Sequence, residues 1–359
     1  MTEHHPLGSG ATYAGSGVSI AAGEAAVDLM RPYTLKTKRP EVVGGIGGFA
    51  SLFRLNVGKY RDPLLASSSD GVGTKTAIAQ AMEVHDTIGI DLVAMVVDDL
   101  VACGAEPLFL QDYIACGSLV PEKIASIVAG IAEGCVRSGC ALVGGETAEH
   151  PGLMNVDDYD LAATAVGVVE AEEVLGPDRV QPGDVVIALG SSGVHANGFS
   201  MVRRILLEIA RLPLEGYVEE FGRTLGAELL EPTRIYALDC LALGRDTEVH
   251  AYAHITGGGL AGNLARVIPP HLTAWLDRRT WQPLPVFGFV AGHGRVERAE
   301  MEKAFNMGVG MVAVVAAADA DRAQAILTAR HVPCWVLGTI ETSAPESPRV
   351  VLQGDHPRF

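Results

Sequence analysis

Basic residues are scarce in this 359-residue chain: 27 Lys and Arg stand against 43 Asp and Glu, a formal charge of −16 at pH 7. Gripping a phosphate backbone needs a basic footprint, so this balance argues against nucleic acid as a partner. No apolar run reaches the roughly 20 residues that a membrane-spanning helix requires, so no membrane association is expected. The opening Met1-Thr2-Glu3-His4-His5-Pro6 has neither a basic nor an apolar stretch. No secretory signal is expected there, and its histidines read as part of a disordered tail. The six cysteines (103, 116, 135, 140, 240, 334) include no C-x-x-C pair and lie in apolar contexts. They read as reduced, mostly buried thiols of a cytoplasmic protein.

What is present is glycine and apolar residues: 42 glycines and 48% hydrophobic content, the profile of an α/β protein with many functional turns. The length suits two domains. In the first part, Pro63–Ala66 reads as a strand, 76–82 and 86–103 as helices, and 107–114 as a strand. Pro121 to Cys135 has apolar positions at 124, 127, 128 and 131, the spacing of an amphipathic helix. Strands follow at 141–143 and 161–169. The segment 170–183, with Gly176-Pro177 and Gln181-Pro182-Gly183, is the best linker. Beyond it come strands at 185–189, 250–255, 309–315 and 334–340, with helices from about Phe199, up to Val267 and near 320–329. The boundary divides the chain into 1–170 and 171–359.

The richest chemistry lies in Asp70-Gly71-Val72-Gly73-Thr74-Lys75, between a strand and a helix. Glycines let backbone N–H groups approach closely, a helix start favours anions, and Lys75 adds a cation. A carboxylate beside a phosphate calls for a bridging Mg²⁺. The pattern is not a P-loop, because Thr74 separates Gly73 from Lys75. Asp98 and Asp99 fall inside an apolar helical run, and Gly144-Gly145-Glu146-Thr147 sets another acid at an expected strand end. Asp70, Asp99 and Glu146 are candidates for one shared metal site; the alternative is separate caps and solvated acids. Two carboxylates about 4 Å apart repel by roughly 4 kcal/mol at an effective dielectric of 20, which a divalent cation would remove. The loop Ser191-Ser192-Gly193-Val194-His195-Ala196-Asn197-Gly198 suits a second phosphate or a ribose, and Thr256-Gly257-Gly258-Gly259 suits phosphate. His195 reads either as a general acid/base or substrate contact, or as a structural loop histidine. The stretch Gly44–Phe49 reads as an active-site loop or a turn. The dinucleotide-like spacing at 45–50 lacks a preceding buried strand and is discounted.

These motifs, in order, resemble the phosphoribosylformylglycinamidine cyclo-ligase family. Besides the stretches at 44–49, 70–75, 144–149 and 191–198, the match includes Arg39-Pro-Glu-Val, Asp86-Thr-Ile-Gly-Ile-Asp-Leu-Val-Ala-Met95 and Cys103-Gly-Ala-Glu-Pro-Leu-Phe109. It continues in His254-Ile-Thr-Gly-Gly-Gly259 and Phe305-Asn-Met-Gly-Val-Gly-Met311. The resemblance spans about residues 13–352. It implies an α+β, two-domain fold: an N-terminal mixed α/β half forming a dimer-spanning β-barrel, which binds ATP and Mg²⁺, and a C-terminal substrate-binding α/β half. It implies a homodimer that closes the imidazole ring of aminoimidazole ribonucleotide from formylglycinamidine ribonucleotide, consuming ATP and releasing ADP and phosphate. On this reading Asp70, Gly71, Gly73, Thr74, Lys75 and Gly145 bind ATP and its phosphates, and Asp70, Asp99 and Glu146 hold Mg²⁺. Ser192, His195, Asn197, Gly257, Gly258 and Gly259 bind substrate, with Lys75 and His195 catalytic.

The chain departs from the family pattern in one segment. Ala14, Ser19 and Ala21 stand where many members carry a lysine and two aspartates, so no ATP-binding role is carried onto them. Asp98 stands where asparagine is common and offers an added metal ligand in return. Two other readings compete: a kinase on the same scaffold, and a nucleotide-binding dimer without chemistry. The loop motif 191–198 and the 305–311 motif argue against the first, and the intact Asp70, Lys75, Asp99 and Glu146 against the second.

Overall fold

The computed structural model describes residues 12–45 and 48–358, so the tail histidines and Ile46-Gly47 of the glycine loop lie outside the described residues. The chain begins with α1 (Ile20–Lys36), then a two-stranded ladder of β1 (Val42–Val43) and β2 (Leu52–Phe53). Next come β3 (Pro63–Gly71), α2 (Thr76–Met82), α3 (Ile88–Ala102), β4 (Glu106–Cys116), α4 (Pro121–Ser138), β5 (Ala141–Glu149) and β6 (Tyr159–Glu170). The four longer strands form one open sheet in the order β3-β6-β4-β5, with β4 and β5 parallel. Its strict alternation is visible in β6, where Leu161, Ala163 and Ala165 are buried under the helices while Asp160, Ala162 and Thr164 face outward. Among the described residues the sheet does not close into a barrel within one chain.

Helix α3 is almost wholly buried because it is apolar apart from Asp91, Asp98 and Asp99 and sits between the sheet, α4 and the second half of the chain. Its contact with α4 is close: a Cβ on Gly89 would fall 2.3 Å from the Ile131 nitrogen, so only glycine permits this spacing. Pro121 opens α4 and Gly139, at φ +69°, ends it, as expected for a first-turn proline and a left-handed cap.

The second half contains β7 (Val185–Gly190), α5 (Phe199–Arg203), a small ladder of β8 (Tyr217–Val218) and β9 (Arg223–Thr224), α6 (Leu225–Leu229), α7 (Ala237–Asp246) and β10 (Val249–His254). It continues with α8 (Gly259–Leu264), β11 (Leu272–Asp277), α9 (Pro285–Gly294), α10 (Arg298–Ala304), β12 (Val309–Val315), α11 (Ala320–Ala329), β13 (Cys334–Thr342) and β14 (Val350–Gln353). Six strands form a sheet in the order β10-β12-β7-β13-β11-β14. Two short 3-10 turns, Ala171–Glu173 and Pro177–Arg179, occupy the segment read from the sequence as a linker. One hydrophobic core runs continuously from Val97 and Leu100 on α3 to Leu189, Phe199 and Tyr236 of the second half; another fills the far side of the six-stranded sheet. Among the described residues no helix is long and apolar enough to cross a membrane.

Candidate active site

The motif residues gather where the first half meets the second. Strand β3 runs further than the sequence suggested and carries Asp70 and Gly71 within it; the turn proper is 72–75. Asp70 lies on the helix-covered face, two residues beyond Ser68, whose hydroxyl donates to Asp99 Oδ2 at 3.4 Å. Asp99, from the C-terminal part of α3, in turn meets His254 Nδ1 at 2.9 Å, at the end of β10. This contact joins the two halves.

The electrostatics follow from that crowding. Partial burial raises the Asp70 carboxyl above its usual value, and the nearby Asp99 charge adds to the effect. Burial also acts to raise Asp99, but the hydrogen bond and charge of His254 outweigh it and bring Asp99 below the usual range. For His254, burial favours the neutral ring, yet the Asp99 bond and the charges of Asp98, Asp99 and Asp70 prevail and raise it. Asp98 is fully buried, which pushes its carboxyl up to about 7; its Oδ1 accepts the Tyr236 amide at 2.9 Å while Oδ2 has no partner.

The expected trio of Asp70, Asp99 and Glu146 does not share one site within a chain. Cross-strand register aligns Asp70 with Ala163, Asp112 and Gly145, which puts β5 three strand spacings away, about 14 Å. Register also pairs Glu146 with Tyr113 on the open face, whereas Asp70 and Asp112 share the covered face. Nor is Glu146 at a strand end, since β5 runs on to Glu149. Among the described residues no three His, Cys, Asp or Glu side chains are grouped as a metal cage. Asp70 and Asp99 still fit a Mg²⁺ ion, which takes one or two carboxylates and completes its shell with phosphates and water. Gly145 packs against Asp112, whose burial raises its carboxyl to about 7, beside a cavity of about 240 Å³ between α1 and β5.

Lys75 is the second departure. Its side chain is wholly buried, with Nζ 2.8 Å from Asp91 Oδ1 and 2.7 Å from the Glu231 carbonyl. It points into the protein and does not line the glycine turn's open side. Burial lowers its pKa, opposed by the Asp91 charge. Thr74, by contrast, is exposed and its hydroxyl lies 3.0 Å from that of Ser200, linking the turn to the start of α5.

The 191–198 loop is built from within. Asn306 Nδ2 donates to the carbonyls of Gly193 and Val194, and its Oδ1 accepts from the Ser191 hydroxyl and the Gly308 amide. The Ser192 hydroxyl donates to the Pro232 carbonyl at 2.7 Å and its amide to His195 Nε2 at 3.2 Å. His195 is buried, adopts φ +66°, and burial holds its pKa well below the ordinary value, so the ring is neutral. Asn197 is half-buried and faces the glycine turn: a Cβ on Gly257 would lie 3.5 Å from Asn197 Oδ1. Asn263 Nδ2 ties that turn together through the carbonyls of Thr256, Gly257 and Gly259. The structure thus sets Asp70, Gly71, Gly73, Thr74, Asp99, Asn197 and Gly257–Gly259 along the seam between the halves, linked by the Thr74–Ser200, Asp99–His254 and Asn197–Gly257 approaches, with Ser192 and His195 packed within the adjoining loop. Sequence reasoning assigned no role to His254, Asn306 or Asp91, although all three lie in motifs that it quoted.

Comparison with known proteins identifies relatives of the whole chain. Residues 52–169 match the AIR synthase related protein N-terminal domain, and 181–350 match the C-terminal domain of that family. The phosphoribosylformylglycinamidine cyclo-ligase of Anaeromyxobacter dehalogenans (strain 2CP-1 / ATCC BAA-258) is 52% identical over 335 residues, 93% of this chain and 96% of that protein. Among solved structures, thiamine-monophosphate kinase from Stenotrophomonas maltophilia K279a superposes with a TM-score of 0.66 at 21% identity, covering 92% of this chain and 96% of that one. The hydrogenase maturation protein HypE in complex with ATP superposes at 0.62 with 16% identity, covering 93% and 91%. At such identities the two structures speak to fold alone. The domain matches and the 52% identity show that the chain belongs to the phosphoribosylformylglycinamidine cyclo-ligase family.

Proposed function

We propose that the chain carries out the reaction its relatives are named for, the ATP-dependent closure of formylglycinamidine ribonucleotide to aminoimidazole ribonucleotide with release of ADP and phosphate, in purine biosynthesis. The observation that carries this reading is the convergence of the family motifs of both halves on one cleft, joined by the Asp99–His254 contact at 2.9 Å. In this reading residues 1–170 bind Mg²⁺-ATP and 171–359 bind the substrate. Asp70 and Asp99 would hold Mg²⁺, which would supply neutralisation of phosphate charge, and Gly71, Gly73 and Thr74 would receive the phosphates. Asn197 and Gly257–Gly259 orient the ribonucleotide from the opposite wall, while neutral His195 fixes the loop through the Ser192 amide. The γ-phosphoryl group passes to the formyl oxygen, the amidine-side nitrogen attacks that carbon, and the oxygen departs as phosphate. Catalysis then rests on alignment and charge neutralisation, as in other phosphoryl transfers.

A second copy of the chain completes the unit on this reading. The open face of the four-stranded sheet exposes Leu65 and Tyr113, and a partner sheet laid on it would close a barrel and cover them. The test of function is to incubate the purified protein with Mg²⁺-ATP and formylglycinamidine ribonucleotide and to follow ADP and the diazotisable aminoimidazole together. Equal amounts are expected. ADP without imidazole would identify another phosphoryl acceptor, and neither product despite tight ATP binding would leave a non-catalytic nucleotide binder.

A further inference from the structure

The segment 231–236, outside any helix or strand, belongs to the second half yet is fastened to the first at three points. Lys75 Nζ donates to the Glu231 carbonyl at 2.7 Å. Asp91 Oδ1 accepts the Thr233 amide at 2.8 Å and the Thr233 hydroxyl at 2.5 Å, besides Lys75. Asp98 Oδ1 accepts the Tyr236 amide at 2.9 Å. Asp91 and Asp98 are seven residues apart, about two turns, so they present to this segment from one face of α3. From its other side the same segment holds the substrate loop: Pro232 accepts from the Ser192 hydroxyl at 2.7 Å, and the Tyr236 hydroxyl donates to Gly190 at 2.9 Å.

We propose that Lys75 is a positioning residue, which together with Asp91 clamps segment 231–236 so that the 70–75 turn and the 191–197 loop are held at a fixed separation across the cleft. Both partners are wholly buried, so neither ionised side chain has water to fall back on. The ammonium also lies 5.5 Å from the Phe199 ring centroid, at the first residue of α5, which follows that loop directly. Because the cleft is lined from both halves, a slack strap separates the phosphate-binding turn from the substrate wall, and alignment of the reacting groups suffers before binding of either ligand does. The activity arm of the test rests on the cyclo-ligase reading; the exchange and affinity arms do not.

Lys75→Met, Asp91→Asn and Thr233→Val are compared with the full-length parent. Hydrogen exchange is expected to rise at 72–75 and at 191–197 in all three; because the Lys75 charge acts on His195 directly, the response of 191–197 is read first from Thr233→Val, whose removed hydroxyl bonds Asp91. A non-hydrolysable ATP analogue, titrated by calorimetry, is expected to bind within about 3-fold of the parent while kcat falls about 10-fold or more. Lys75→Met and Asp91→Asn combined are expected to cost little more than either alone, as for members of one network. If Lys75→Met does not fold, Thr233→Val, which keeps the amide and removes one hydroxyl, carries the test. Two results overturn the proposal. One is an affinity loss of about 10-fold or more confined to Lys75→Met, as for a direct phosphate ligand. The other is unchanged exchange at 191–197. If the parent itself forms no imidazole, the functional reading fails and the exchange data still decide this one.

Discussion

Gly310 lies on β12 at the point where its pairing with β7 slips by one residue, directly under the cleft wall. A Cβ there would fall 2.0 Å from Tyr236 Oη and 2.6 Å from His195 Cε1, far inside the roughly 3.5–4 Å of ordinary contact. Gly310→Ala must therefore move both side chains. Overpacking of a tight core costs about 1–3 kcal/mol. Breaking the Tyr236 hydroxyl's 2.9 Å bond leaves the Gly190 carbonyl buried without its donor, about 1–3 kcal/mol more. The middle of these ranges is about 4 kcal/mol in total. We expect a lower urea midpoint with unchanged slope, and a raised KM for formylglycinamidine ribonucleotide, because His195 anchors the Ser192 amide. Adding Tyr236→Phe removes the worst clash and should recover part of the stability, leaving the His195 contact and the ring carbon Cζ of residue 236 at 2.8 Å. Gly262→Ala, with nothing within 4 Å of its would-be Cβ, is the control and should be neutral or slightly stabilising. A Gly310→Ala protein as stable as the parent, with an unchanged KM, would refute the reasoning.

Three further outcomes are expected. Asp70→Asn and Asp99→Asn should each lower kcat by about 10²-fold or more, with a higher Mg²⁺ requirement read from a metal titration of the rate. Ser19 caps α1 by accepting the Ala22 amide at 3.2 Å, so Ser19→Ala should cost about 1 kcal/mol in denaturant titration and speed exchange at the start of α1, while Ser19→Asp retains the cap. Burial pushes the Glu302 carboxyl up, but paired Arg278 at 2.6 and 2.8 Å, with His356, brings it down to about 2 from 4.5. A depressed carboxyl stabilises the fold fully above 4.5 and loses that contribution as pH falls toward 2. Glu302→Gln should therefore cost about 3 kcal/mol near neutral pH and flatten the acid limb of the stability–pH curve.

Much of the fold was legible because its helices and strands follow their periods. The β12 and α11 ranges match the sequence reading residue for residue, and α4 extends beyond it by a single turn. Among the elements missed, α1 carries Pro32 and little apolar periodicity and β14 is a four-residue edge strand, while α7, β11, α9, α10 and the short two-stranded ladders also went unread. The positions of Thr74, Asn197 and Gly257 between strand and helix could be read from their motifs, whereas Asp70 falls within β3 rather than on the turn. Glu146 and Lys75 show the limit. Proximity along a motif does not say on which face of a sheet an acid falls, nor whether an ammonium turns inward to a partner sixteen positions away in Asp91. That knowledge needs register and tertiary packing. Likewise, the role of His254 depends on Asp99 reaching it across the two halves.

The central claim is that the cleft lets ATP activate the formyl oxygen as a leaving group. We would run the reaction with formylglycinamidine ribonucleotide carrying ¹⁸O in its formyl group and analyse the released inorganic phosphate by mass spectrometry. The account predicts one ¹⁸O in each phosphate formed with aminoimidazole ribonucleotide. Unlabelled phosphate, with the isotope recovered in water, would contradict it.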